Sequence, residues 1–450
     1  MAAHLDDTIA AISTAPGRAG TALIRISGSH ALAVAEAMGV VGLEPRRATT
    51  APVRHPDGRR LDRAVVTHYA APASYTGEDV VEISSHGGVL VPELILDAAC
   101  AAGARLAMAG EFTRRAYLNG KLDLVQVEAT QDLIEATSPA HHAAALFQLD
   151  GALSRRVEEL RAAVVELRAL LAYDIDFPEE DDGPVPRARI QAAASEVRTR
   201  IRQMLSLAPE GERLRDGVVV VLAGAPNAGK SSIFNSLLGS QRAIVTEIPG
   251  TTRDAIEADT SIEGFPFRLV DTAGVRPDAE HIERLGIEVA RRYLASADAV
   301  LLCVEMGREW TDEERALAAE VGASGADLIV LRTKTDLTGE GVVCPEGELR
   351  VSARTGLGIE ALRDRLAESG FGGLRRRAEP ALVTRARQAR ALERAAAFVS
   401  EFEEAIENGL PAEIADTHLA DATLSLEEIV GATDVEDILA AIFETFCVGK

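Results

Sequence analysis

Basic charge is in short supply in this sequence. Lys and Arg together number 47 against 70 Asp and Glu, a formal charge of −23 over 450 residues. Broad electrostatic capture of nucleic acid is thereby disfavoured, so any RNA contact has to use a local basic patch or a partner's surface. Cysteine is also scarce. Cys100, Cys303, Cys344 and Cys447 lie far apart with no C-x-x-C spacing, which argues against a zinc knuckle or a disulfide frame and predicts reduced, mostly buried thiols. No apolar run approaches the roughly 18 residues of a membrane span. The opening MAAHLDDTIA has no basic stretch leading into an apolar one, so the expectation is a cytoplasmic protein without membrane or DNA contacts.

What is present is ordinary for a folded chain, with 47% hydrophobic and 26% charged residues. The length exceeds what one core organises and predicts several domains. Residues 1–119 mix short strand-like runs with Gly/Pro turns and read as a small α+β domain. Alternation over Ala22 to Ile26 puts Leu23 and Arg25 on one face and Ala22, Ile24 and Ile26 on the other; pattern alone leaves Arg25 in solvent. Residues 120–213 change texture. Leu153, Val157, Leu160, Val164, Leu167 and Leu171 recur at helical spacing and predict a long amphipathic helix whose stripe is bundle core. That helix runs down at YDIDFPEEDDGP, whose six carboxylates between Asp174 and Asp182 could hold a metal but read better as a solvated turn. A second helix is predicted over Arg187 to Leu207. Residues 214–372 alternate strands and helices, and residues 373–450 are helical again. The architecture is therefore a helical bundle interrupted by an inserted nucleotide-binding domain, which domain termini that lie close together permit.

The inserted segment opens with GVVVVLAGAPNAGKSS, residues 217–232. It fits G-x-x-x-x-G-K-[ST] at Gly224, Gly229, Lys230 and Ser231, between a strand over Val218 to Leu222 and a helix over Ser231 to Leu238. Such a turn aims backbone N–H groups and a helix N-terminus at phosphates, with the lysine on the outer phosphates and the serine hydroxyl on magnesium. Four elements follow in the order a GTPase needs. In IPGTTRD, residues 248–254, Thr251 or Thr252 can close onto magnesium and the γ-phosphate. In DTAG, residues 271–274, Asp271 holds magnesium through water and Gly274 offers its N–H. In TKTD, residues 333–336, Asp336 accepts from the N1 and N2 donors of guanine, which adenine lacks. In SAR, residues 352–354, the backbone meets guanine O6.

Two positions depart from the common pattern. Thr333 stands where an Asn usually tethers base and phosphate loop, and a hydroxyl cannot supply both donor and acceptor of an amide, which predicts weaker affinity with guanine preference retained. Val275 follows DTAG, and an aliphatic side chain cannot orient the attacking water. Asp278, Glu280 and Glu283 are the carboxylates near enough in sequence to do so, and spacing does not choose among them. Transition-state charge could be met by Lys or Arg, or by a monovalent cation held at Asn227.

DTIAAISTAPGRAG, LIRISG, YTGEDVVEISSHGG, GEFTRRAYLNGKLDLVQVEA, GAPNAGKSS, IPGTTRD, DTAGVR and the closing FCVGK together resemble the MnmE family, also called TrmE, of bacterial tRNA-modification GTPases. The resemblance spans the chain and implies an N-terminal α+β folate-binding domain, a discontinuous α-helical bundle and an inserted Ras-like α/β P-loop GTPase domain. It implies a homodimer through the N-terminal domain, with a 5-formyl or methylene tetrahydrofolate on Arg25, Glu82, Lys121 and Lys450. GTP contacts are implied at Asn227, Ala228, Gly229, Lys230, Ser231 and Ser232, then at Thr246, Glu247, Ile248, Pro249, Gly250, Thr251 and Thr252. Further contacts fall on Asp271, Thr272, Ala273 and Gly274, on Thr333, Lys334 and Asp336, and on Ser352, Ala353 and Arg354. Magnesium is implied at Ser231 and Thr252, potassium at Asn227, Thr246, Ile248 and Thr251, and the water-positioning carboxylate at Glu283. With the FAD-dependent partner MnmG, in a heterotetramer, the family adds an aminomethyl or carboxymethylaminomethyl group to C5 of the tRNA wobble uridine. Cys447 is the family's candidate for a thiol adding at uracil C6; the competing account is a packed thiol beside the folate. Departures are Thr333, the Ala and Thr in PGRAGTALIRIS, and a shortened region after SAR. A GTP-switched ribosome-assembly factor is the alternative, which a basic appendage after the GTPase segment would favour; residues 373–450 are instead mostly acidic. A folate enzyme acting on a small molecule is the third reading.

Overall fold

The computed structural model describes residues 7–176, 186–239, 256–271, 293–338, 343–377, 379–380, 383–432, 442–443, 446 and 449. The chain divides into two units, Met1–Gln131 with Glu427–Lys450, and Asp132–Leu426.

The first unit is built on a sheet of β1 (Ile9–Ile12), β2 (Thr21–Ser27), β3 (Thr49–Arg54), β4 (Arg60–Tyr69), β5 (Val80–His86) and β6 (Arg105–Leu106), in the order β3-β4-β5-β2-β1-β6. Only the β1/β6 pair is parallel. Alternation sorts the faces as a half-buried sheet requires: Ala51, Val53, Ala64 and Val66 are buried while Thr50, Pro52, Arg63 and Val65 are exposed. The buried face packs on α1 (Ala31–Ala37) and α2 (Leu90–Ala101) through Val34, Ile95 and Ala98. On the opposite face Ile9 and Ala11 meet Phe112 of α3 (Glu111–Leu118). The start of α4 (Leu124–Glu135) packs Leu124 and Val127 against Phe443 and Phe446 of the closing segment.

The second unit begins within α4 and continues through α5 (Pro139–Leu149), α6 (Ala152–Asp176), α7 (Arg187–Leu205) and α8 (Ala208–Asp216). The predicted stripe on α6 is buried throughout, Leu153 to Leu171 being at most 2% exposed, and α6 packs on α7. The helix expected over Arg187 to Leu207 ends at Leu205. A separate helix, α8, starts at Ala208 with Pro209 in its first turn, a position where the missing N–H costs nothing. The acidic turn after α6 lies outside the described residues.

From α8 the chain enters a sheet of β7 (Val218–Ala223), β8 (Ile256–Ile262), β9 (Phe265–Asp271), β10 (Ala299–Glu305), β11 (Asp327–Thr333) and β12 (Leu349–Arg350), in the order β12-β11-β10-β7-β9-β8. All pairs are parallel except the β8/β9 hairpin. Its two-residue turn puts Glu263 at φ 51 and Gly264 at φ 85, the positive pair that matches strand twist. Central strands read as continuous apolar runs because helices cover both faces. These helices include α9 (Lys230–Leu238), α10 (Asp312–Ser324), started by a capping box of Thr311 and Glu314, and α11 (Ile359–Arg375). Phe371 breaks the helical dihedrals of α11 and stacks on Phe265 at 4.5 Å, edge-on to Phe267 at 5.8 Å. The chain then returns to helices, α12 (Ala386–Glu407) and α13 (Ala412–Val430). α12 packs on α7, and Gln148 of α5 donates to Thr384 at 3.0 Å just before α12. The bundle is thus assembled from segments on both sides of the insertion.

Of the thiols, Cys303 is buried, which pushes its pKa up to about 12, whereas Cys100 and Cys344 are only half-buried. Cys100 lies in the last turn of α2 and Cys344 in the loop before β12, so the expectation of mostly buried thiols is met at Cys303 alone among those described. Among the described residues no helix is long and apolar enough to cross a membrane.

Candidate functional site

The site grows from the carboxyl ends of the parallel strands, where α/β sheets place ligands. β7 ends at Ala223, and Gly224 turns the chain with φ 131. A Cβ at Gly224 would sit 2.3 Å from the Cys303 carbonyl, so the loop can run this close to β10 only with glycine there. Asn227 follows with φ 59, exposed. Ala228 is buried, and Gly229 at φ 94 leads directly into α9. Ser231 and Ser232 stand exposed on the first turn of that helix, whose N-terminal N–H groups and dipole favour an anion.

Lys230 is only 7% exposed. Its ammonium donates to the Gly224 and Ala225 carbonyls at 2.8 and 2.9 Å, folding back over the loop. Burial lowers its pKa, against the opposing charges of Cys303, Asp271 and Glu314. A buried cation whose hydrogen bonds go to neutral carbonyls is fitted to an incoming phosphate. Asp271 closes β9 opposite Leu222 of β7 and is 1% exposed. A carboxylate at the end of β9, the neighbour of the strand that leads into the Ser231 turn, is a ligand type suited to magnesium, a hard, oxygen-seeking ion.

Beside the loop lies a cavity of about 250 Å³, lined in part by Gly229, Ser232, Thr333, Lys334, Asp336, Ala353 and Arg354. The structure thus brings three separated sequence elements to one wall. Asp336 accepts from the Ser352 hydroxyl at 2.7 Å and from Arg354 Nε at 2.7 Å; the Ser352 bond first, then its own backbone N–H and Arg354, hold its carboxyl below the ordinary 3.8, so it is an acceptor at neutral pH. Lys334, at φ 53, pairs with Glu305 at 2.9 Å. Thr333 is 1% exposed and its hydroxyl donates to the Ala228 carbonyl at 2.7 Å. The tether to the phosphate loop therefore survives the Asn-to-Thr departure. Ile233 and Leu337 also line the cavity; as apolar residues inside helical turns they carried no sequence signal of a ligand wall.

Thr246, Glu247, Ile248, Pro249, Gly250, Thr251 and Thr252 lie outside the described residues, as do Thr272, Ala273, Gly274, Val275, Glu283, Cys447 and Lys450.

Two family models match this chain: the GTP-binding protein TrmE N-terminus over residues 8–121 and the MnmE helical domain over residues 124–447. It is 41% identical to the tRNA modification GTPase MnmE of Azoarcus sp. (strain BH72), covering 99% of this chain and 98% of that protein. The Alkaliphilus metalliredigens (strain QYMF) protein of the same name is 38% identical, covering 99% and 100%. The chain belongs to the MnmE family. Among solved structures, the G domain of the T. maritima FeoB iron transporter is 26% identical with a TM-score of 0.27, covering 34% of this chain and 98% of that one.

In this MnmE chain the N-terminal unit gathers the second set of expected residues. Arg25 lies directly across from Glu82 in the β2/β5 ladder and pairs with it at 2.8 Å. Its side chain is 13% exposed, with the guanidinium 5.4 Å from the Tyr75 ring centre and 5.6 Å from that of Phe112, within cation–π range. The solvated placement that strand pattern alone suggested is therefore wrong: α3 and the β4/β5 loop cover this face of the sheet. Lys121 donates to the Pro72 carbonyl at 3.1 Å, in the same loop that carries Tyr75. Glu82 is 21% exposed and its bonds to Arg25 use one oxygen, Oε1, leaving an acceptor suited to the amino-pyrimidinone edge of a folate. The C-terminus reaches this unit too, since Ser13 Oγ donates to the Gly449 carbonyl at 2.9 Å, and Ser13 follows the strand whose Ala11 pairs with Arg25.

Proposed function

We propose that this MnmE-family chain is a GTP hydrolase that modifies tRNA. In this reading it acts as a homodimer with the FAD-dependent partner MnmG, in a heterotetramer in the cytoplasm, to install an aminomethyl or carboxymethylaminomethyl group at C5 of the wobble uridine. The observation that carries the GTPase half is the meeting of Lys230, Thr333, Asp336 and Ser352 around one loop and cavity.

In this site Asp336 selects guanine by accepting two N–H donors, and Lys230 leaves the loop carbonyls for the outer phosphates. Ser231, Asp271 and, by family resemblance, Thr252 would hold magnesium; Asn227 with Thr246, Ile248 and Thr251 would hold potassium. When bound, these ions supply positive charge to phosphate oxygens as negative charge develops there. Glu283 would orient the attacking water. Arg25, Glu82, Lys121 and Lys450 would hold a tetrahydrofolate derivative, which supplies the one-carbon unit. Cys447 would add at uracil C6, and GTP hydrolysis would drive a conformational cycle. The proposed domain limits are 1–119, 120–213, 214–372 and 373–450.

The test is nucleoside analysis of tRNA from cells lacking this protein. Loss of the wobble uridine modification, restored by the wild-type chain, is the expected result. Intact modification overturns the reading, and defective ribosomal subunits with intact modification would favour an assembly factor instead.

A further inference from the structure

The carboxylate that selects the base is already engaged from the protein side. Asp336 Oδ1 receives Ser352, and Oδ2 receives Arg354 Nε. Arg354 is not remote from the cavity, because it and Asp336 both line it. The two partners are held very differently: the Asp336 side chain is 10% exposed and that of Arg354 is 73% exposed. The carboxylate is fixed by the fold, while the guanidinium reaches it from solvent.

Guanine presents two parallel N–H donors, and a carboxylate receives such a pair with one donor on each oxygen. The Ser352 hydroxyl approaches Oδ1 from a residue that is itself 1% exposed, so it can stay while a base docks from the cavity. Arg354, which bonds Oδ2, is exposed and lines the same cavity, where a base would dock. We propose that Arg354 is a built-in competitor for the guanine-selecting carboxylate, displaced when the base binds, so that this side chain sets how tightly the nucleotide is held. This inference rests on the reading of the cavity as the guanine site.

The effect is bounded by the weakness of an exposed ion pair. Removing Arg354 should tighten GDP binding by about two- to fivefold. The test uses the full chain and ribose-labelled fluorescent GDP in stopped-flow mixing, comparing wild type with Arg354→Ala and Arg354→Gln. Both variants lack the charge, and both change a solvent-exposed side chain that the core does not need. Both are expected to bind more tightly at low salt, chiefly through faster association. The gap from wild type should close as salt approaches about 1 M, where an exposed pair is screened. Equal affinity at low salt, or weaker binding by the variants, overturns the competitor role while leaving the guanine site standing. Failure of the wild-type chain to bind GDP overturns both.

Discussion

The hydroxyl of Thr333 donates to the carbonyl of Ala228 across 2.7 Å, joining the last residue of β11 to the phosphate loop. An amide at this position could make that bond and a second one; a hydroxyl here makes only the tether and a longer contact to the Val304 carbonyl at 3.4 Å. Thr333→Val keeps the shape and deletes the donor. It should lower unfolding free energy by about 1 to 3 kcal/mol, because the buried Ala228 carbonyl loses its partner. GDP affinity should fall with it as the loop loosens. Thr333→Asn should instead bind GDP more tightly than wild type. Chemical denaturation and titration calorimetry on the two variants read both effects; equal GDP affinity in all three proteins would show that the tether does not position the loop.

Much of this site was legible because its chemistry is local in sequence. A strand, a glycine turn, a lysine and a helix within about sixteen residues carry their own geometry, and the apolar runs of β9, β10 and β11 announce a parallel sheet. The stripe on α6 was equally plain. The environment of Arg25 was not, since strand alternation says which face a side chain takes but not what covers it. That cover comes from Phe112 and Tyr75, residues 87 and 50 positions downstream. The helix expected over Arg187 to Leu207 stops within two residues of the end of α7, but the short α8 that follows, Ala208–Asp216, was not foreseen, since nine residues carry little periodicity and only Pro209 marks its start.

A buried ion cluster in the N-terminal unit sets its acid stability. Arg115 is 2% exposed and donates to the Asp7 carbonyl at 2.8 Å, to the Asp7 carboxylate at 2.6 Å and to Glu111 at 3.0 Å, while Arg105 holds the same Glu111 at 2.8 Å. Burial alone would raise the Glu111 pKa, but the bonds from Arg105, the Met108 N–H and Arg115 outweigh it and leave it below the ordinary 4.5. A depressed carboxylate stabilises the fold above its unfolded pKa and loses that contribution as pH falls through the folded one. Stability should therefore hold above about pH 4.5 and decline below it. Arg115→Met should cost about 3 kcal/mol by removing one of the two cations that hold buried Glu111, and its denaturation midpoint should rise, relative to wild type, as the pH is lowered. A loss that is independent of pH would point to packing rather than charge.

Gly449 ties the chain's last residues to the N-terminal unit. It has φ 99, and a Cβ there would fall 2.5 Å from the Ile12 carbonyl. Gly449→Val must therefore give up the Ser13 bond or strain the backbone, either of which costs about 1 to 3 kcal/mol. Tetrahydrofolate binding should weaken by about tenfold or more, which is 1.4 kcal/mol or above, and wobble modification should fall with it. GTP hydrolysis by the same variant should be unchanged. Fluorescence titration with 5-formyltetrahydrofolate and a phosphate-release assay separate the two, and undiminished folate binding would remove the C-terminus from the folate site.

Hydrolysis poses a chemical problem that the described residues do not solve by themselves. Val275 cannot orient water, and Lys230 alone supplies one positive charge to a transition state that spreads negative charge over several phosphate oxygens. The proposed answer divides the work between a carboxylate at Glu283 and a potassium ion beside Asn227. The two halves fail differently. Replacing potassium with sodium should lower kcat while GDP affinity stays within about twofold, because the cation acts where charge develops. Glu283→Ala should lower kcat by about 100-fold in either salt, the usual size of a lost general-base contribution, again with nucleotide binding retained. In that variant potassium should still stimulate whatever rate remains, since charge neutralisation does not depend on the base. Equal wild-type rates in the two salts would remove the cation from the reaction, and a variant that loses both rate and GDP binding would place Glu283 in the fold rather than in the chemistry.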